Sequence, residues 1–239
     1  MQGQATQASD ALAHEAVAPI RSGMVVGLGT GRAAARGIKA LAGRVEQEQL
    51  DVRCVATSRA SHELAVALGL QLKDLGDVGR LDYLFDGADE FDDGLRMLKG
   101  GGGAMTQERI AARASGRCVY MVQAEKRVSR LGERCKLGVE VLPTARASAM
   151  AVLSRHGLHA QVRQQESGAE FITDNGNIVL DAPLPAIELE PLAHCLDATP
   201  GVVGHGLFLG EADVILIEDG QGHVDRLVRD GLGDHKPSC

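Results

Sequence analysis

Along the first half of the chain one order repeats: a short apolar run, a turn of Gly, Ser and Thr, then a segment with helical spacing of its apolar residues. Residues 9–20 (SDALAHEAVAPI) show that spacing and offer Ser9 or Asp10 as a cap, which predicts a first helix. Met24-Val25-Val26-Gly27-Leu28 reads as a buried strand, Gly29-Thr30-Gly31-Arg32 as its turn, and Ala33 to Ala42 as the next helix. The order returns with a strand at Val52 to Ala56, the polar turn 57–61, and a helix from Ser61 to Leu68 closed by Gly69. Further strands are predicted at Leu70 to Leu72, Tyr83-Leu84-Phe85 and Cys118 to Val122, the last ending near Glu125-Lys126. This repetition is the pattern of an α/β domain, a mostly parallel, Rossmann-like sheet flanked by helices. Ligands sit at the carboxyl ends of the strands in such sheets, so the turns at 29–32, 57–61 and 86–90 are expected to open on one edge.

From about residue 137 the pattern changes. Val139 to Pro143 is strand-like, Ala145 to His156 is helical with Gly157 as its stop, and strands follow at 160–163, 171–173 and 178–180. Asp174-Asn175-Gly176-Asn177 between the last two is a hairpin signal, assigned a structural role. Ile187 to Leu196 reads as a second helix whose regular part starts near Pro191. Two helices among hairpin-linked strands predict a smaller α+β (ferredoxin-like) subdomain over 137–205, of a size suited to a subunit interface. The closing runs 206–208 and 214–217 are expected to return to the main sheet. The α/β catalytic domain would then comprise 1–136 plus 206–239, with a polar, frayed tail from Asp230.

Composition narrows the partners. Hydrophobic residues make up 44% and charged residues 24% of the 239, as in ordinary globular proteins. A net charge of −7 argues against nucleic acid or an anionic membrane, so any phosphate must be captured locally. Aromatic content of 3% leaves little to stack bases or sugar rings on. The five cysteines, at 54, 118, 135, 195 and 239, are dispersed without a C-x-x-C pair, which reads as reduced thiols in a cytoplasmic protein. Met1 to Asp10 is polar, and no apolar run approaches the roughly 18 residues of a membrane span, so neither secretion nor insertion is expected. The eight histidines are scattered, with His156 and His159 the only close pair, and no metal site is expected from them. Cys54 reads as a core thiol.

Three segments carry candidate chemistry. In Gly27-Leu28-Gly29-Thr30-Gly31, glycines after a strand let backbone N–H groups approach an anion at a helix N-terminus, although the segment also suits a tight turn with no ligand. In Phe85-Asp86-Gly87-Ala88-Asp89-Glu90, Asp86 and Asp89 fall at the ligand edge, where carboxylates hydrogen-bond sugar hydroxyls or exchange protons with them. A divalent metal held with Glu90, Asp92 and Asp93 is the alternative, and a solvated acidic turn suits Asp92 and Asp93 best. In Leu98-Lys99-Gly100-Gly101-Gly102-Gly103-Ala104-Met105-Thr106-Gln107-Glu108, four glycines cost conformational entropy, and bare amides behind a lysine form a nest for an oxyanion. Apolar residues on both sides argue against a floppy linker. Thr106 is expected to cap a helix beginning near Gln107, with Glu108 in its first turn. A carboxylate beside an oxyanion nest and a cation is what proton abstraction next to a carbonyl requires.

The set GLGTG, TS, DGADE, LKGGGGAMTQE, EKR, VEVLP-AR and TDNGN, in this order from about residue 9 to residue 217, resembles ribose-5-phosphate isomerase of the A type. The resemblance implies interconversion of ribose 5-phosphate and ribulose 5-phosphate through a cis-enediolate, without metal or cofactor, in a homodimer or homotetramer. It implies that Glu108 is the proton-transferring base and that Asp86, with Asp89 as partner, assists ring opening. Lys99 with Gly100, Gly101 and Gly102 would hold substrate oxygens, beside Gly87 and Ala88. Thr30, Gly31, Arg32 and Ala33 would form the phosphate turn, and Lys126 would bind substrate. The family carries Gly-Thr-Gly-Ser-Thr where this chain has Gly29-Thr30-Gly31-Arg32-Ala33, so Arg32 is expected to replace the lost hydroxyls at the phosphate, the alternative being that it points to solvent. Two rivals remain: a non-catalytic sugar-phosphate sensor on the same scaffold, and a coenzyme A transferase on a related fold. The first should lose Glu108 or add a DNA-binding appendage, and the second should carry aromatics for an adenine.

Overall fold

The computed structural model describes residues 10–229. The expected tail from Asp230, His235, Cys239 and the Ser9 cap lie outside the described residues. Helix α1 (Ala11–Val17) is capped by Asp10, whose side chain accepts the Ala13 N–H at 3.0 Å. There follow β1 (Val25–Leu28), α2 (Gly31–Glu48), β2 (Arg53–Ala56), α3 (Arg59–Ala67) and β3 (Tyr83–Gly87). Next come β4 (Glu90–Phe91), β5 (Met97–Leu98), α4 (Met105–Ala114) and β6 (Cys118–Gln123). The later half holds β7 (Leu137–Val141), α5 (Arg146–Arg155), β8 (Gln161–Val162), β9 (Ile178–Ala182), α6 (Leu189–Asp197) and β10 (Val202–His205). The chain closes with β11 (Leu207–Phe208), β12 (Val214–Glu218) and β13 (Val224–Val228).

The main sheet has six strands in the order β13-β12-β6-β3-β1-β2, parallel except for the β12–β13 pair. Its central strands are buried on both faces, which is why β3 and β6 read as unbroken apolar runs. Their alternate residues serve two cores. Tyr83, Phe85 and Met121 pack with Leu12, Val17 and Ile38 of α1 and α2, while Leu84 and Tyr120 pack with Met105, Phe91 and Phe208 on the other face. From β1 the chain winds one way to β2 and the other way to β3 and β6, so the direction reverses between β1 and β3. The crevice at the carboxyl ends of those two strands is the place where such sheets bind ligands.

The second sheet, β10-β7-β9-β8, is antiparallel and packs with α5 and α6 around Leu137, Val139, Leu153, Leu180 and Leu192. Its chain order, β7-α5-β8-β9-α6-β10, is the ferredoxin-like one.

Several local expectations fail for identifiable reasons. Leu70 to Leu72 forms no strand: Leu72 makes one bridge to Cys54, and the chain then turns where Asp74 accepts the Gly76 N–H. Residues 171–173 contribute only the bridge Ile172↔Ile178, because the Thr173 hydroxyl is drawn into a buried cluster instead of facing a ladder. Residues 206–208 do not rejoin the main sheet. Leu207–Phe208 pairs with β5 in a three-stranded sheet β11-β5-β4, held by Lys99 N–H donating to the Gly206 carbonyl at 2.9 Å. Strand β13, which sequence reasoning passed over, supplies the antiparallel edge. Helix α4 starts at Met105, ahead of the expected Gln107, and its N-cap Ala104 makes no side-chain bond. Thr106 is not a cap, for its hydroxyl donates to the buried Glu140.

Candidate active site

The site begins with a close approach at the switch point. A Cβ on Gly29 would collide with the Asp86 carboxylate, so only glycine lets the turn after β1 lie against the end of β3. There Asp86 Oδ1 accepts the N–H of Thr30 at 3.0 Å and of Gly87 at 2.7 Å. The Thr30 and Thr57 hydroxyls lie 2.9 Å apart, tying the first two ligand-edge turns together. Gly31 holds a φ of 91°, which turns the chain into α2 and places Arg32 and Ala33 in its first turn.

Lys99 stands at the centre. Its Nζ lies 2.9 Å from Asp86 Oδ2 and 3.4 Å from Glu108 Oε1, and it donates to the Gly87 carbonyl. The Tyr120 and Phe208 rings flank it at 5.5 and 5.6 Å. Burial alone would pull this ammonium down, but Asp86 and Glu108 outweigh it and hold its pKa above the ordinary lysine value. Glu108, in the first turn of α4, is buried, and its Oε2 has no partner among the described residues. Burial and then the Asp86 charge push its carboxyl up to about 8 against the opposing pull of Lys99. A carboxyl whose pKa lies near neutral pH can both take up and release a proton readily.

Around this triad lies a cavity of 480 Å³. Glu108, Asp89 and Lys99 line it, with Thr30, Gly31, Arg32, Ala33, Gly87, Ala88, Gly100, Gly101, Gly102 and Lys126. Asp86 is fully buried behind Lys99 and is not among the lining residues. Every other site residue that the resemblance implies therefore faces one cavity. Asp89 accepts the Gly101 N–H at 2.8 Å. Lys126 donates to the Ala88 carbonyl at 2.7 Å, and burial, with Arg32 and Lys99 adding like charge, lowers its pKa despite Asp89. Arg32 is exposed, and its side chain makes no hydrogen bond or ion pair with any described residue.

The glycine loop is less open than four bare amides suggest. The Gly101 N–H is taken by Asp89 and that of Gly103 by the Gly100 carbonyl at 3.0 Å, leaving those of Gly100 and Gly102 unpaired among the described residues. The acidic segment also differs from a solvated turn or a metal cage. Glu90 is buried and accepts the N–H groups of Gly132, Arg134 and Cys135, while Asp92 is buried and paired with Arg96 at 2.7 Å. Only Asp93 is exposed as expected, and it pairs with Arg127. Cys54 is a core thiol, pushed up to about 12 by burial.

Sequence reasoning missed Arg36, Gln123 and Glu125, which also line the cavity. Arg36 is spent on Asp10 and Glu218, with its bonds to them between 2.6 and 2.9 Å. A larger hollow of 730 Å³ lies by the C-terminal half of α2 and the loop after α3. No buried ionisable group lines it, so size does not locate the chemistry.

The family model for ribose 5-phosphate isomerase A (phosphoriboisomerase A) matches residues 53–222. Ribose-5-phosphate isomerase A of Roseiflexus castenholzii is 42% identical over 215 residues, covering 89% of this chain and 92% of that one. The Sphingopyxis alaskensis protein of the same name is 42% identical over 206 residues, 86% of this chain and 89% of its own. Among solved structures, ribose 5-phosphate isomerase A from Methanocaldococcus jannaschii superposes with a TM-score of 0.87 at 36% identity, over 92% of this chain and 97% of that one. A D-ribose-5-phosphate isomerase in complex with phospho-erythronic acid gives 0.87 at 33% identity over the same shares.

Proposed function

The chain belongs to the ribose 5-phosphate isomerase A family, and from that premise we propose which of its groups perform each step. The enzyme interconverts D-ribose 5-phosphate and D-ribulose 5-phosphate, a step of the non-oxidative pentose phosphate pathway. The observation that carries the assignment of roles is Glu108: a buried carboxyl with an unpartnered oxygen, beside a buried lysine, facing a cavity.

On this reading the Glu108 carboxylate takes the proton from C2 of the open-chain aldose. The electron pair moves into a C1–C2 double bond, and the carbonyl oxygen gains the negative charge of a cis-enediolate. The buried Lys99 ammonium and the unpaired glycine-loop amides stabilise that charge. The O2 hydroxyl proton passes to O1, Glu108 delivers its own proton to C1, and C2 becomes the carbonyl of the ketose. Asp89 accepts hydrogen bonds from sugar hydroxyls and assists ring opening, while Asp86, behind Lys99, holds that ammonium in place. The N-terminus of α2, with Arg32 and the Thr30–Ala33 amides, anchors the phosphate, and Lys126 adds a second cation. Base, charge acceptor and anchor all come from the chain itself.

We also propose the division into an α/β unit, 1–136 with 206–239, and an α+β unit, 137–205, which an apolar cluster drawn mostly from 137–205, joined by Leu98, Val128, Leu131 and Leu207, supports. Assembly as a homodimer or homotetramer through the second unit, and a cytoplasmic location, complete the proposal. Among the described residues no helix is long and apolar enough to cross a membrane. The named relatives are isomerases, and nothing among them favours the sensor alternative.

Solvent-deuterium exchange into ribose 5-phosphate tests the central role. The parent should incorporate deuterium at C2 and the Glu108→Gln variant should not. Exchange at the parent rate in the variant would move the base to another residue.

A further inference from the structure

Four consecutive glycines give the loop after Lys99 no side chains of its own, so whatever fixes its peptides comes from elsewhere. One side chain reaches it from the ferredoxin-like sheet. Arg163, directly after β8, donates through Nη1 to the carbonyls of Gly100 at 2.8 Å and Gly101 at 3.1 Å. Asp181 of β9 grips the rest of the guanidinium, accepting from Nε at 2.8 Å and from Nη2 at 2.6 Å. The Phe171 ring centre lies 5.5 Å from its central carbon, and a side chain on Gly103 would run into that ring. A Cβ on Gly138 would lie 3.1 Å from Nη2, so glycine there makes room for the fork. Arg163 itself does not line the cavity.

A trans peptide points its C=O and N–H in opposite directions. Holding the Gly100 carbonyl turns the Gly101 N–H away from Arg163, and it donates to Asp89 at 2.8 Å. Holding the Gly101 carbonyl turns the Gly102 N–H away as well, on the side where Asp89 and Gly102 line the cavity. Neighbouring amides facing one side make a concave anion site. The geometry points to Arg163, locked by Asp181, as the positioning residue that sets both peptides, fixing the Gly101 amide on Asp89 and aiming the free Gly102 amide at the developing enediolate oxygen. This rests on the isomerase reading above. It also explains why the loop needs no side chains: its orientation is imposed through its carbonyls, which leaves the amide face open for substrate.

The test uses Arg163→Lys, which keeps the charge but loses the planar fork, and Asp181→Asn, which releases the fork from its partner. Misaiming of this kind lowers kcat on the order of 10²-fold. Arg163→Lys should show that loss with little change in KM for ribose 5-phosphate, because the phosphate turn is untouched. Asp181→Asn should show a smaller loss of the same kind. Phospho-erythronic acid, whose carboxylate resembles the enediolate, should bind Arg163→Lys about tenfold more weakly, one such contact being worth roughly that factor. Inorganic phosphate should inhibit the variants and parent alike. The double variant should be no slower than Arg163→Lys alone, since both changes break one device. Parent-like kcat in either folded variant overturns the proposal, as does KM or phosphate inhibition weakening in step with kcat. Should Arg163→Lys fail to fold, Asp181→Asn alone decides by the same criteria. A parent enzyme without deuterium exchange would refute the functional reading instead, so the two failures are distinguishable.

Discussion

Replacing Glu108 by Gln should remove isomerisation and stabilise the fold, and the size of the second effect should depend on pH. The carboxyl is buried, one oxygen has no partner, and its pKa rises from 4.5 to about 8. Because the folded-state value is the raised one, the native protein holds this proton more tightly than the unfolded chain does. Its contribution to stability is therefore full below the unfolded value and is lost as pH climbs through the folded one. A tenfold difference in proton affinity corresponds to about 1.4 kcal/mol, so by pH 7, where the unfolded chain has ionised and the native carboxyl largely has not, about 3 kcal/mol of that contribution is lost. Glutamine has nearly the same shape and no charge to bury, although its amide must still find partners, which offsets part of the gain.

Denaturant unfolding of parent and variant at intervals from pH 5 to 9 measures the difference directly. Groups common to both cancel, so the variant's advantage should widen by about 3 kcal/mol between pH 5 and 8 and level off above. Over the same series the turnover of the variant should be lower by at least about 10²-fold, the range for loss of a general base. A pH-independent stability difference, or an advantage that shrinks as pH rises, would refute the account of a strained, buried base.

Other parts of the molecule give sharp expectations. His205 is buried against Arg109 and 3.1 Å from Asp197, and burial followed by the Arg109 charge holds it down to about 4. Its depressed value contributes stability above pH 6.5 that is lost as pH falls toward 4, about 3 kcal/mol in all, and His205→Asn should flatten that acid limb in unfolding titrations. Glu140 is fully buried and accepts from Thr106, Thr173, Asn175 and Asn177 with no cation nearby in that set, so Glu140→Ala strands several donors and should cost about 3 to 5 kcal/mol by chemical denaturation. A loss under about 1 kcal/mol would mean that water replaces the carboxylate. Arg32→Ala should raise KM for ribose 5-phosphate about tenfold with kcat little changed, as expected on losing one charge-assisted phosphate contact, and an unchanged KM would return Arg32 to the solvent.

What was legible in the sequence follows from how local each cause is. Strands β1, β3 and β6 are buried on both faces by their neighbours, so their apolar runs announce them without any knowledge of the partner. Asp86, Asp89, Lys99 and Glu108 sit close together in the chain, on one strand, in two loops and at one helix start, and their chemistry can be read from residue type alone. The supporting shell could not be read that way. Strands β4, β5 and β11 are two residues each; β4 pairs with β5 across a short loop, and β11 joins them only because Leu207–Phe208 returns to Met97–Leu98 across a long gap in sequence. Thr106 has the spacing of a helix cap, yet a buried carboxylate on β7 outcompetes the local amide for its hydroxyl. Arg36 looks like a solvated helix residue until Asp10 and Glu218 converge on it from opposite ends of the chain. Glu140 did leave a trace, a lone carboxylate inside an apolar strand, and such an apparent conflict between pattern and residue type marks a place where tertiary partners must be sought. Arg163 left none. A single arginine after a two-residue strand acquires meaning only when the glycine carbonyls arrive beside it. Chemistry that touches the substrate is thus written in contiguous motifs, and the side chains that aim it are scattered wherever the fold brings them within reach.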